Sequence, residues 1–266
     1  MRIADSLGRS LSLPDNPARI VSLCPSQTET LFALSLEGRI VGRTRYCIHP
    51  AEKVAFVPIV GGTKKVDMDA VAVLAPDLII AEKEENTRDD VERLSSIAPV
   101  YVTKNESYEE ALETIRRLGA LTGKENEAIQ LVQAIEAAWS SVPRAQRPLR
   151  LLYLIWRKPY MAAGQPTFID SLIRHLGWEN LAATLPGRYP VLENPSALDP
   201  EVVLLCSEPY PFKTQHIPEI QSLWPNAHIE LVRGDYFAWY GVRMIEAAPY
   251  FTALQKTLQN TLAPKV

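Results

Sequence analysis

The sequence predicts an α/β protein of two lobes, each a central, mostly parallel sheet flanked by helices. A single long rigid helix joins them, and a ligand cleft lies between them. Three observations predict this. Residues 124–142, KENEAIQLVQAIEAAWSSV, place Ala128, Leu131, Val132, Ile135, Ala138, Trp139 and Val142 three and four apart, on one helical face. At about 1.5 Å per residue such a helix reaches roughly 28 Å, enough to pass from one small domain to the next. On either side of it stand LAPDLIIAEKE (74–84) and LDPEVVLLCSE (198–208), which share Leu, Pro, an acid, a four-residue apolar run and a closing Glu. Each half also opens with a short apolar strand, ARIVSLC and LRLLYLIW, followed by a Thr-led helix that a glycine closes. Strand, helix and strand recurring in one order argue for an internal duplication. The expected boundaries are 1–122 for the first lobe, 123–143 for the joining helix and 144–266 for the second lobe.

Along the first half, residues 1–13 read as a hairpin and 19–24 as a strand ending at Pro25. Ser26 or Thr28 is expected to cap the next helix, with Glu29 in its first turn. Residues 40–44 form the second strand, and RYCIHPAEK (45–53) is a loop holding an aromatic, a thiol and a histidine. Gly61 and Gly62 do not make a phosphate loop, because the GxxxxGK[ST] spacing is absent. Asp67 caps a short helix to 74. A strand at 77–81, a helix at 89–97, a strand at 100–103 and a helix at 108–121 complete this half. In the second half, strands are expected at 149–156, 202–206 and 229–232, and helices at 167–176 and 245–262. Aromatic loops follow the strands as RKPYMAAG, EPYPFKTQH and RGDYFAWYGVRM, and GRYPVLENPSALDP precedes the middle one.

A net charge of −3, with no run of more than two cationic residues, gives no electrostatic footprint for nucleic acid or an anionic membrane. No stretch approaches the roughly 20 apolar residues of a membrane span. The start MRIADSLGRSLSLP has no apolar run of signal-peptide length. The expected location is therefore periplasmic or extracytoplasmic if a signal was trimmed, and cytoplasmic if the sequence is native as written. Three cysteines without CxxC spacing indicate neither a disulfide framework nor a zinc site. The histidines at 49, 175, 216 and 228 lack metal-ligand spacing, although His49 or His216 lies where it could reach a cleft-bound metal. No GxSxG elbow is present, and the catalytic alternatives are weak, so the expectation is a binding protein and not an enzyme, with no resident cofactor. The informative pattern is aromatic: Tyr46, Trp156, Tyr160, Tyr189, Tyr210, Phe212, Tyr236, Phe237, Trp239 and Tyr240 all fall at or just after predicted strand ends. Ligands of open α/β sheets bind outside those ends, and a ring-lined cleft suits a large, flat, partly apolar ligand.

These segments, above all RIVSLCPSQTETLFAL, VGRTRYCIHP, VGGTKKVDMDAVAVLAPDLIIA, the long helix, GRYPVLE and DYFAWYGVRM, resemble the periplasmic substrate-binding proteins whose two α/β lobes are joined by one rigid helix. That family serves importers of cobalamin, ferric siderophores and haem, and the pattern is most similar to its cobalamin-binding members. The resemblance implies a monomer that binds a corrinoid or other metal chelate and hands it unchanged to an ABC importer's permease dimer. It places the ligand on Tyr46, Trp156, Tyr189, Asp235, Tyr236 and Phe237; Pro25, Tyr160, Phe212, Trp239 and Tyr240, at or near predicted strand ends, complete the expected ligand-binding set. It also implies one permease-docking carboxylate per lobe, Asp69 and Glu193, pairing with guanidinium groups. The sequence departs from the pattern at Thr63, where a cleft tryptophan is expected. Alternatives are a ferric siderophore or haem carrier, and a cytoplasmic metal-cluster or redox protein of the same architecture with ligands such as Cys24 and Cys47.

Overall fold

The computed structural model describes residues 2–262 and resolves the chain into two compact α/β units. The first holds the residues up to Asn105, with Glu109–Glu136 and Trp239–Met244. The second holds Glu106–Tyr108, Ala137–Ala238 and the residues from Ile245 onward. Simple cuts at 122 and 143 do not describe this division. Two short segments, Glu106–Tyr108 and Trp239–Met244, pack with the unit on the other side of the expected boundary.

The first unit begins with an antiparallel hairpin, β1 (Arg2–Ala4) and β2 (Ser10–Ser12). Its turn is organised by the buried Asp5 carboxylate, which accepts the amides of Leu7 at 3.0 Å and Arg9 at 2.9 Å and pairs with the Arg9 guanidinium. Four parallel strands follow: β3 (Ile20–Ser22), β4 (Ile40–Arg43), β5 (Leu78–Glu82) and β6 (Val100–Thr103), in the spatial order β4-β3-β5-β6. Helices cover both faces of such a sheet, so β3, β5 and β6 are buried at every position and show no polar alternation. The helices are α1 (Pro25–Ala33), α2 (Ala51–Val54), α3 (Met68–Val73), α4 (Arg88–Leu94) and α5 (Tyr108–Thr122). Helix α6 (Glu125–Ser140) is the predicted long helix. Its residues to Glu136 belong to the first unit and those from Ala137 to the second.

The second unit repeats the scheme. Strand β7 (Arg150–Trp156) leads into the two-residue strand β8 (Met161–Ala162), helix α7 (Phe168–His175) and the short β9 (Glu179–Asn180). Strand β10 (Val202–Cys206), helix α8 (Ile217–Leu223), strand β11 (His228–Val232), helix α9 (Gly234–Ala238) and helix α10 (Arg243–Leu262) complete it. Parallel pairings run β9-β7-β10-β11, the counterpart of β4-β3-β5-β6, while β8 joins β7 antiparallel at its far end. The two matching acids also do matching work. The Asp77 carboxylate accepts the amides of Ala18 (2.8 Å) and Arg19 (3.0 Å) at the mouth of β3. The Glu201 carboxylate accepts the Arg150 amide (3.1 Å) at the mouth of β7.

Helix starts divide the expectations. Asp67 caps α3 through the Ala70 amide (3.0 Å), as predicted, and Thr167, expected to lead α7, caps it through the Asp170 amide (3.0 Å). Helix α1 differs: it starts at Pro25 with Cys24 in the capping position and no side-chain cap. Ser26 and Thr28 lie inside it and are buried. The Thr28 hydroxyl bonds back to the Cys24 carbonyl (2.9 Å) and the Ser22 hydroxyl (2.7 Å). No helix among the described residues is long and apolar enough to cross a membrane.

Candidate ligand-recognition edges

In the first unit the carboxyl ends of the four parallel strands open onto Pro25, the Arg45–Tyr46 loop, the turn after Glu82, and Thr103 with Asn105. Tyr46 is 54% exposed. Its ring and the Arg45 guanidinium both lie over Gly62, where an added Cβ would sit 3.4 Å from Tyr46 Cε2 and 3.8 Å from Arg45 Nε. The Arg45 amide is fixed to the Gly61 carbonyl (2.9 Å), so the loop is pinned to the GGTKK turn. Thr63 is buried, and its carbonyl accepts the Asn86 amide group (2.9 Å). Asn86 is thereby part of the packed edge and not of a solvated turn. Glu82 is buried too and accepts the backbone amides of Glu84 (2.5 Å) and Glu85 (3.0 Å).

Trp239 and Tyr240 belong to this first unit, which the sequence did not indicate. Trp239 meets His49 edge-on with ring centroids 5.8 Å apart. Tyr240 is buried, its hydroxyl 3.4 Å from Cys24 Sγ and 3.4 Å from Gln27 Nε2. The segment is held by a bidentate ion pair with little exposure. Arg243 donates to Glu29 at 2.7 and 3.1 Å, and its guanidinium carbon lies 5.5 Å from the Trp239 ring centroid. Glu29 is thus an anchor rather than a helix-start charge. Gly241 (φ +82°) makes the approach possible, because a Cβ there would lie 2.0 Å from the Thr30 hydroxyl.

In the second unit Trp156, at the end of β7, is 41% exposed and meets Tyr210 edge-on at 5.6 Å. Phe212 and His216 continue the cluster behind Tyr210, at 4.7 and 5.6 Å respectively. His216 Nδ1 accepts the Lys213 amide (3.0 Å). Glu219, on α8, is the hub of the next loop: it takes hydrogen bonds from the Arg157 guanidinium and the Tyr160 hydroxyl. Arg157, then Tyr160, holds its carboxyl down to about 2, while burial and the same carboxylate push the Tyr160 phenol up to about 12. Tyr189, 37% exposed, rides on a loop stitched to β8 by Gly164 N to Arg188 O (2.8 Å), Ala162 N to Pro190 O (3.1 Å) and Leu192 N to Tyr160 O (2.8 Å). Arg188 pairs with Glu106. After β11, Arg233 pairs with Asp235 and lies 3.9 Å from the Tyr236 ring centroid.

The structure sorts the predicted ligand residues by accessibility. Tyr46, Trp156 and Tyr189 present rings to solvent, and Pro25, Tyr160, Asp235 and Trp239 are partly exposed. Phe237 is a correction: it is fully buried, 4.8 Å from Tyr153 and 4.8 Å from Phe251, and is a core ring. Phe212, Tyr236 and Tyr240 are also buried, each against neighbouring rings or polar groups that fix it. Sequence reading missed Glu29, Glu106, Glu219 and Arg243, which brace the ring-bearing loops. Asp69 stands exposed in the first turn of α3, on the rim of a shallow groove of about 400 Å³ lined by Pro58, Ile59, Val73 and Leu74. Glu193 is exposed before a turn that Trp224 Nε1 braces by donating to the Pro195 (3.0 Å) and Leu198 (3.1 Å) carbonyls.

All three cysteines are buried and unpaired. Burial raises each thiol, that of Cys206 to about 12, with Glu85 and Glu82 adding to the rise at Cys24. Among the described residues no group of three or more His, Cys, Asp or Glu side chains is placed to hold a metal ion.

A periplasmic binding protein family model matches residues 20–220. An uncharacterised ABC transporter substrate-binding lipoprotein of Bacillus subtilis is 24% identical over 70% of this chain, which spans 62% of that protein's length. The vitamin B12-binding protein of Pectobacterium carotovorum is 20% identical over 87% of this chain and 86% of its own. Among solved structures, the apo form of the periplasmic haem-binding protein RhuT from Roseiflexus sp. RS-1 superposes with a TM-score of 0.78, at 21% identity, over 90% of this chain and 98% of its own. With two α/β units of one strand order and a family match over three quarters of its length, the chain belongs to the periplasmic binding protein family.

Proposed function

We propose that the chain is the substrate-binding component of an ABC importer, capturing a corrinoid or related metal chelate outside the cytoplasm and releasing it unchanged to a permease. The observation that carries this reading is the set of exposed rings, Tyr46, Trp156 and Tyr189, at the carboxyl edges of the parallel sheets, with Trp156 on the last residue of β7 and Tyr46 and Tyr189 on loops fixed by hydrogen bonds or an ion pair. Preorganised rings stack on a large flat ligand at small entropic cost. The vitamin B12-binding and haem-binding relatives support the ligand class, with the corrinoid first and haem or a ferric siderophore second. Trp156, Tyr160, Tyr189 and Asp235 would line one edge, and Pro25, Tyr46 and Trp239 the other.

Titration of the purified protein with cyanocobalamin, with haem and a ferric siderophore in parallel, tests the assignment. One-to-one submicromolar binding of cyanocobalamin is expected, and Tyr46→Ala and Trp156→Ala should each weaken it about tenfold, the worth of one aromatic contact at roughly 1.4 kcal/mol. No binding of any of the three removes the ligand assignment. Asp69 and Glu193 are proposed to pair with permease arginines. Reversing both charges should abolish transport in reconstituted vesicles and leave ligand affinity unchanged, and an unaltered transport rate would refute the docking role.

A further inference from the structure

Arginines accompany the rings at both edges. In the second unit Arg157 is matched by Glu219, Arg188 by Glu106, and Arg233 by Asp235. In the first unit Arg243 is matched by Glu29. Each of these cations is spent inside the protein, as a brace for its loop. Arg45 breaks the pattern. It is exposed, it adjoins the most exposed tyrosine of either edge, and among the described residues its guanidinium has no hydrogen bond and no ion pair. Its backbone is fixed all the same, by the amide bond to Gly61. Gly62 lies beneath both its side chain and the Tyr46 ring. Glu82, at the end of β5 on the same edge, is taken up by the amides of its own turn.

A guanidinium on a fixed backbone, left without an acid while four comparable ones are neutralised, is a fork held open for two anionic oxygens. We infer that Arg45 is an anion-recognition residue, binding a phosphate or carboxylate arm of the ligand whose flat part stacks on Tyr46. This rests on the ligand-capture reading above and narrows it to ligands that carry an anionic arm beside the ring. A corrinoid's nucleotide phosphodiester and haem's propionates share that chemistry.

The test compares Arg45→Gln with the parent protein on matched ligand pairs, with Lys65→Gln as the control for general charge. Cyanocobalamin is paired with dicyanocobinamide, which lacks the phosphodiester, and haem with its dimethyl ester. Arg45→Gln should weaken cyanocobalamin or haem at least tenfold and bind the partner lacking the anion as the parent does, while Lys65→Gln changes neither. Undiminished binding of the anionic member overturns the assignment, and so does an equal loss for both members of a pair. Phosphate and carboxylate sources are told apart by which pair responds. If no tetrapyrrole binds the parent, the ligand reading fails by itself. The Arg45 role is then read from its Nε–H resonance titrated with pyrophosphate and with succinate: a saturable shift upholds it and none overturns it.

Discussion

Glu219 shows how a single carboxylate sets up an edge. Arg157 and Tyr160 hold its carboxyl at about 2, below the usual 4.5, so it is charged and bonded across the ordinary pH range. A depressed pKa of this kind contributes stability above about 4.5, and the contribution is lost as pH falls through 2. The melting-temperature difference between the parent and Glu219→Gln should therefore be largest above pH 4.5 and shrink steadily toward pH 2. A difference independent of pH across that interval would contradict the role. The thiols give a second expectation. Buried and shifted upward, Cys24, Cys47 and Cys206 should not react with a disulfide reagent at pH 8 in the native protein, and three equivalents should react after unfolding. At this scale the sequence was legible in residue type but not in partnership. Placement at strand ends marked out Tyr46 and Trp156, which are exposed, but equally Phe212 and Phe237, which are buried, so it does not fix accessibility. That Glu29 meets Arg243, 214 positions away, depends on where the last part of the chain travels, and no local pattern encodes it.

Elements with a repeating period were readable, and those without one were not. Strands β6 and β10 match the predicted bounds because they are apolar runs set off by proline turns. Strands β8 and β9 have two residues each and α9 has five, too few to show any periodicity. The start of α1 was misread because Ser26, Gln27, Thr28 and Thr30 look like a capping run, whereas all four are buried inside the helix. Thr167 does cap α7, and its hydroxyl also donates to the Gly164 carbonyl at 2.7 Å. Thr167→Ala removes both bonds and should cost about 1–2 kcal/mol in denaturant unfolding. Thr167→Ser retains the hydroxyl and should recover most of that. The Asp77 and Glu201 clamps extend the duplication beyond hydrophobic pattern: matching acids close the first strand of each unit onto the strand beside it.

For the whole molecule, the duplicated strand order and the family were accessible from sequence because buried parallel strands write continuous apolar runs. The membership of 239–244 was not accessible, since WYGVRM carries no signal of which core it joins. A fragment of residues 1–140 holds every strand of the first unit but lacks Trp239, Tyr240 and Arg243. It should leave Glu29 without its guanidinium and exchange the amides around α1 much faster than the full chain does. Protection equal to that of the full chain would show the segment to be dispensable.

The return of this segment also bears on how the protein is made. Synthesis proceeds from the amino end, and domains generally fold as they emerge. Here the first unit is completed by residues 239–244, which follow all the strands of the second unit in sequence. The seating of Gly241 against Thr30 therefore cannot precede synthesis of the second unit's strands, and until then the α1 anchor lacks its partner.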